Sequence, residues 1–342
     1  MSSRKTTAIA LSALSLGALV LGAPVAWAQP APSTPPSTAP APTTATATID
    51  VMNKLWGRHP DLRANHARGV VVVGSFTPTP EAAGLSTASI FTGKPVPVTV
   101  RFSDATGLPN LSDGADAANP HGMAIRFQPE GGTYVDVVLN SLPYFPVATG
   151  EEFLQLLTAA SESGPDAPKP TKVEQFVAAH PAAAKAGAGV RTPSSFVRET
   201  YNGIDAFIFV NAQGQRQPFR FQFQPVAGGD YVSKEDAAKL PPDFLLDELP
   251  ARLKTSKAEY RVMAQLANPG DPTKDPTQPW PDDRRMVNLG TLTLTGAVAD
   301  ETKAQHDLRF LPNHLTPGIE LSDDPLIDAR VRSYVISFGR RG

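Results

Sequence analysis

The run Gln217-Pro-Phe-Arg-Phe-Gln-Phe-Gln-Pro225 constrains the fold of this chain more than any other stretch. Phe219, Phe221 and Phe223 alternate with Arg220, Gln222 and Gln224. A period of two puts the three rings on one face, so the run reads as a strand with one face buried. Further runs of β-branched or aromatic residues, bounded by Gly or Pro, lie at 69–76, 97–103, 122–128, 133–139, 204–211 and 289–296. Asn211-Ala-Gln-Gly214 reads as a hairpin turn between two of them. Seven or eight strands with hairpin-length links predict an α+β chain built on an antiparallel, eight-stranded β-barrel. Flanking helices are expected at 151–160, where Phe153, Leu154, Leu157 and Ala160 share a face, and at 172–180, 243–254 and 323–340. The last opens on Ser322-Asp-Asp-Pro325, a cap followed by Pro in the first turn.

The N-terminal part has a different character. Arg4 and Lys5 precede an apolar, small-residue stretch at 6–25, and Ala26-Trp-Ala28 follows. That order predicts a cleaved Sec-type signal peptide over 1–28, hence a periplasmic or secreted protein, rather than a membrane anchor. Residues 29–48 are Gln, Pro, Ala, Ser and Thr only, too little apolar surface to offset chain entropy, so they read as a disordered linker. Residues 49–342 are expected to form one folded domain. Formal net charge is −2, which gives no electrostatic footprint for nucleic acid or, after signal cleavage, for a membrane. The chain has no cysteine, so disulfides, thiolate metal sites, a Cys nucleophile and covalent c-type haem are excluded.

Taken singly, the polar residues leave their roles open. His66, just before the first strand, reads as a structural histidine or as a proton-transfer group. Tyr334 reads as a core residue with its hydroxyl at an edge, and Arg330 lies four residues earlier on the same helical face. That pair is either a surface contact or an arginine placed to stabilise a phenolate. Asn140 reads as a turn residue, and Phe145 and Phe153 as ordinary core. His59, His180, His306 and His314 have no metal-ligand spacing.

In sequence order, the segments are more telling. His66-Ala-Arg-Gly69 with Gly74 and Phe76 resembles the distal-histidine segment of the monofunctional haem catalases. Val100-Arg-Phe-Ser103, Asp136-Val-Val-Leu-Asn140-Ser-Leu-Pro143-Tyr-Phe145 and Val210-Asn-Ala-Gln-Gly214 resemble their following segments. Leu315-Thr-Pro-Gly-Ile-Glu320, leading to Arg330 and Tyr334, resembles their proximal segment. The chain ends soon afterwards, and is most similar to the short, exported catalase-related peroxidases. His121 stands where that family has an arginine, and Ser141 where it repeats asparagine.

This resemblance implies a catalase-like haem fold over 49–342 and a non-covalent, ferric haem b with Tyr334 as axial ligand. It also implies that Arg330 supports the phenolate, that His66 is the acid–base group oriented by Ser103, and that Asn140 holds the peroxide. Phe145 and Phe153 would flank the haem, and Arg63, Arg101 and Arg341 would pair with its propionates. Holding a phenol ionised at neutral pH asks for about 5 kcal/mol, which a ferric ion largely supplies and a permanent guanidinium charge supplements. The expected reaction is a haem-dependent peroxidase one, with hydrogen peroxide oxidising a small organic reductant in peroxide defence and weak catalase activity beside it. A homodimer is also implied. Two rivals remain: a haem enzyme that rearranges organic hydroperoxides, and a non-enzymatic periplasmic haem or ligand carrier on the same barrel.

Overall fold

The computed structural model describes residues 42–342. The segments read as a signal peptide, 1–28, and most of the linker lie outside the described residues. The linker reading is corrected at its end. A helix, α1 (Thr44–Trp56), begins inside it, capped by the Thr43 side chain on the Thr46 N–H. Its first turn is composed like the linker, but Ile49 and Met52 anchor the helix in a satellite core with Leu157. Tertiary burial therefore overrides the weak helix preference of threonine.

Eleven further strands and eight further helices follow β1 and α1 among the described residues. The strands are β1 (Gly69–Pro78), β2 (Val96–Asp104), β3 (His121–Phe127), β4 (Val135–Asn140), β5 (Thr192–Pro193), β6 (Tyr201–Asn202), β7 (Phe207–Val210), β8 (Arg216–Pro225), β9 (Tyr231–Val232), β10 (Ala258–Leu266), β11 (Met286–Ala297) and β12 (Ile319–Leu321). The helices after α1 are α2 (Pro80–Leu85), α3 (Gly150–Ser161), α4 (Lys172–Ala179), α5 (Pro181–Gly189), α6 (Lys234–Ala237), α7 (Phe244–Leu253), α8 (Glu301–Asp307) and α9 (Pro325–Gly339).

Eight strands close into an antiparallel barrel in the order β10-β11-β1-β2-β3-β4-β6-β8, with β8 pairing back onto β10. Closure leaves no free edge within the ring. The expected strand at 204–211 is not a stave. It shortens to β7, which pairs with β8 and β12 outside the ring, through the turn at Asn211 and Gly214. In its place β6 and β10 complete the barrel. The interior is apolar and rich in aromatic rings: Phe76, Phe102, Phe127, Phe219, Phe223, Tyr201 and Tyr260 are fully buried. The alternating Phe219–Phe223 run faces inward as expected, and Phe219 stacks on Phe209 at 3.4 Å between centroids. Helices α1, α3 and α9 pack against one another beside the barrel, and α9 starts on Asp324, whose carboxylate accepts from the Leu326 N–H. No helix among the described residues is long and apolar enough to cross a membrane.

Candidate active site

Strand periodicity creates the site. Val100 and Phe102 of β2 are buried in the barrel core, so Arg101 and Ser103 point to the opposite side of the sheet. There they line a cavity of about 550 Å³. All ten residues singled out in the sequence line it: Arg63, His66, Arg101, Ser103, Asn140, Phe145, Phe153, Arg330, Tyr334 and Arg341.

His66 is held in a backbone conformation that non-glycine residues seldom adopt, with φ of 56°. Three hydrogen bonds fix it there. Arg101 Nη2 donates to its carbonyl at 2.8 Å, its N–H donates to Asn65 Oδ1 at 3.0 Å, and its Nδ1 meets Ser103 Oγ at 3.1 Å. Strain persists only where the surroundings over-determine it, and this is such a place. Gly122 on β3 closes the arrangement: a Cβ there would lie 3.0 Å from both His66 Cε1 and Ser103 Oγ. Burial, then the charge of Arg101, pushes the His66 imidazole down to about 3, so the ring is neutral near pH 7 and free to accept a proton. With Nδ1 tied to Ser103, Nε2 is the nitrogen left for proton traffic.

Asn140 ends β4, and its Oδ1 accepts from the Leu142 N–H at 2.8 Å. The turn reading is therefore correct, and the same bond leaves the amide NH2 as the group a ligand in the cavity can meet. Ser141 is not a ligand-facing group. Its Oγ accepts from the His121 N–H at 3.0 Å and so ties β4 to β3. Phe145 and Phe153 pack against each other, centroids 5.3 Å apart, on the cavity wall.

Helix α9 brings the other pair. Arg330 Nε donates to Tyr334 Oη at 3.2 Å, as the four-residue spacing requires. Burial alone would lower the Arg330 pKa, but the ion pair with buried Asp205 outweighs it and the guanidinium stays charged. Asp205 is absent from the sequence reading. It lies 125 residues away in sequence, and no local signal connects the two.

The remaining arginines are bound differently. Arg63 donates to the Gln305 and Leu308 carbonyls and to Gln305 Oε1. Arg101 donates to Gln305 Oε1 and the His66 carbonyl. Arg341, close to the chain end yet 5% exposed, donates to the His306 and Leu308 carbonyls. Every one of these acceptors is neutral. Burial lowers all three pKa values and neighbouring cations add to it: Arg101 falls to about 9 beside Arg341, Arg341 to about 10 beside Arg309, and Arg63 well below the usual arginine value beside Arg101 and Arg341. Arg341 Nε is buried without a partner among the described residues.

A haem carrying two carboxylates fits these features. The walls supply apolar contact from Ile49, Met52, Met123, Leu139 and Leu326, the arginines lack anions, and a phenol backed by a guanidinium offers an oxygen ligand suited to ferric iron. The other histidines have structural partners: His59 bonds the Trp56 carbonyl, His180 stacks on Phe176, His306 meets Asp307 and His314 meets Asp136. Among the described residues no group of His, Asp and Glu forms a metal site.

Comparison with known proteins identifies the family. The family model described as Catalase matches residues 39–340. The chain is 34% identical over 298 residues to the catalase-related peroxidase of Mycolicibacterium paratuberculosis, covering 86% of this chain and 93% of that one. To the catalase-related peroxidase of Synechococcus elongatus it is 32% identical over 302 residues, covering 87% and 88%. In fold it is similar to catalase A from Saccharomyces cerevisiae, with a TM-score of 0.72 at 20% identity over 82% of this chain and 61% of the other. A fungal catalase crystal structure gives 0.71 at 22% identity, covering 82% and 59%. This chain thus spans about three-fifths of those two solved chains. With the family model spanning nearly all of the described residues and the closed barrel shared with solved catalases, the chain belongs to the catalase family.

Proposed function

We propose that the protein is a haem-dependent peroxidase that uses hydrogen peroxide to oxidise small organic donors, with weak catalase activity, outside the cytoplasm. One observation carries this reading: the His66–Ser103 pair and the Arg330–Tyr334 pair open onto a single cavity bordered by three anion-seeking arginines. Tyr334 Oη would bind the iron, Arg63, Arg101 and Arg341 the propionates, and Phe145 and Phe153 the flat macrocycle. When bound, ferric haem b supplies the redox-active metal that takes up the oxidising equivalents of peroxide.

The chain's own residues manage the protons. Neutral His66 accepts a proton from one peroxide oxygen at Nε2 and delivers it to the other, which leaves as water. Ser103 holds the ring in place during both transfers. The Asn140 amide hydrogen-bonds the peroxide beside it. Arg330, kept charged by Asp205, stabilises negative charge on Tyr334. Residues 1–28 support export and the family supports peroxide as the oxidant; the donor is proposed from the similarity to catalase-related peroxidases.

The test is peroxide consumption by the haem-loaded protein, with and without phenolic donors, beside His66→Gln. Donor-dependent turnover should fall about 10²–10⁴-fold in the variant, while haem still binds. Peroxide loss that is fast without any donor would make the protein a catalase instead. Isomerisation of an organic hydroperoxide without donor oxidation would make it a rearranging enzyme, and haem binding with no turnover would make it a carrier.

A further inference from the structure

Two of the three arginines owe their aim to a residue that the mechanism above does not use. Gln305, on α8, sits at the centre of their hydrogen bonds. Its Oε1 accepts from Arg101 Nε at 2.7 Å and from Arg63 Nη1 at 3.0 Å. Its Nε2 donates to the Gly69 carbonyl at 2.8 Å and to Glu301 Oε1 at 2.7 Å. These four contacts fix which end of the amide is which, since only oxygen can receive two guanidiniums and only nitrogen can serve a carbonyl and a carboxylate. Glu301, in turn, spends its oxygens on the Val71 N–H and on Gln305. The acid nearest the cluster therefore stands behind the amide and forms no ion pair with Arg63, Arg101 or Arg341 among the described residues. Gly69 makes room for the arrangement, because a Cβ there would meet Arg101 Nη2 at 2.6 Å.

We propose that Gln305 is a positioning residue that fixes Arg63 and Arg101 through a neutral acceptor, leaving neither bonded to a carboxylate so that both can meet the carboxylates of the cofactor. A carboxylate at the same atoms would hold the arginines equally well but would cancel the charge meant for the ligand. Glu301 and Gln305, one turn apart, thus divide the work: the acid orients the amide, and the amide orients the arginines. This inference rests on the haem reading above.

The experiment is absorption titration of the full chain with iron protoporphyrin and with its dimethyl ester, which keeps the ring and iron but has no carboxylates. Two variants are compared with the natural chain. The exchange E301Q/Q305E keeps net charge and hydrogen-bonding groups but moves the negative charge onto the arginines. Gln305→Met keeps the length and removes the amide. The proposal expects affinity for iron protoporphyrin to fall about tenfold or more in both variants, since bonds to charged groups are involved, with ester affinity unchanged. Unchanged affinity for both porphyrins would overturn it. So would equal loss for both, which would mark Gln305 as merely structural. If the exchange does not fold, Gln305→Met decides by the same comparison. A natural chain that binds neither porphyrin would instead defeat the haem reading, a different result from either failure of Gln305.

Discussion

Two clusters of charge lie on opposite sides of the same sheet, and they are built by opposite rules. On the cavity side, Arg63, Arg101 and Arg341 are held by carbonyls and one amide, with no carboxylate in contact among the described residues. On the barrel side, Arg68 lies against Asp104, Asp113 and Asp243, and buried His121 meets Glu199 at 3.0 Å. Arg101 and Asp104 belong to the same strand, so alternation alone sorts them to different faces. The barrel cluster sets opposite charges against each other, whereas the cavity cluster holds like charges together at the expense of its own stability. Buried charge facing opposite charge within the fold reads as structure, and buried like charge held by neutral acceptors reads as preparation for a ligand.

Breaking the cluster of opposite charges should have the largest effect. Arg68→Met leaves Asp104 and Asp113 buried without their cation and should cost about 3–5 kcal/mol in chemical denaturation. The corresponding change on the cavity side, Arg341→Met, should leave the haem-free protein as stable as before, or stabilise it by up to about 1 kcal/mol, because it relieves repulsion among buried cations. Its effect should appear in haem titration instead, as an affinity loss of about tenfold. A large loss of stability in Arg341→Met would erase the distinction between the clusters.

Ser103→Ala, on the cavity side, should be milder. Losing one hydrogen bond to His66 costs about 1 kcal/mol, so donor-dependent turnover should drop several-fold while the Arg68 cluster and overall stability are unaffected. The pH dependence separates the two sides by sign, because their contributions run in opposite directions. Burial raises Asp104 to about 7, so its proton stabilises the fold in acid and that contribution fades as pH rises through 7. His66, lowered by burial to about 3, adds stability above pH 6.5 that is lost as pH falls toward 3. Thermal melts between pH 4 and 7 should therefore favour His66→Gln over the natural chain at the acid end and penalise Asp104→Asn there. The same slope for both variants would contradict the assignment of charge to each face.

The legibility of this molecule in its sequence follows the range of its interactions. Arg330 and Tyr334 are four residues apart on one helix, and the alternation of Phe219 to Phe223 is local, so both were readable from spacing. Strand β10 lies outside the recognised runs because, of its inward residues Ala258, Tyr260, Val262, Ala264 and Leu266, only Tyr260 and Val262 are β-branched or aromatic. The start of α1 was hidden by composition, since its Thr and Ala residues match the tract before them. Gln305 and Asp205 were out of reach for another reason. Their partners lie 204 and 125 residues away, and a glutamine or an aspartate in sequence does not announce which arginine it will meet. The cavity's ligand-facing groups were thus readable, whereas the groups that aim them emerge only from the folded chain.

The most direct measurement is the absorption spectrum of the haem-reconstituted protein beside Tyr334→Phe. The account predicts a high-spin ferric spectrum of the tyrosinate-ligated kind in the natural chain, lost or replaced in the variant. An identical spectrum in both proteins, or no haem binding by the natural chain, would contradict it.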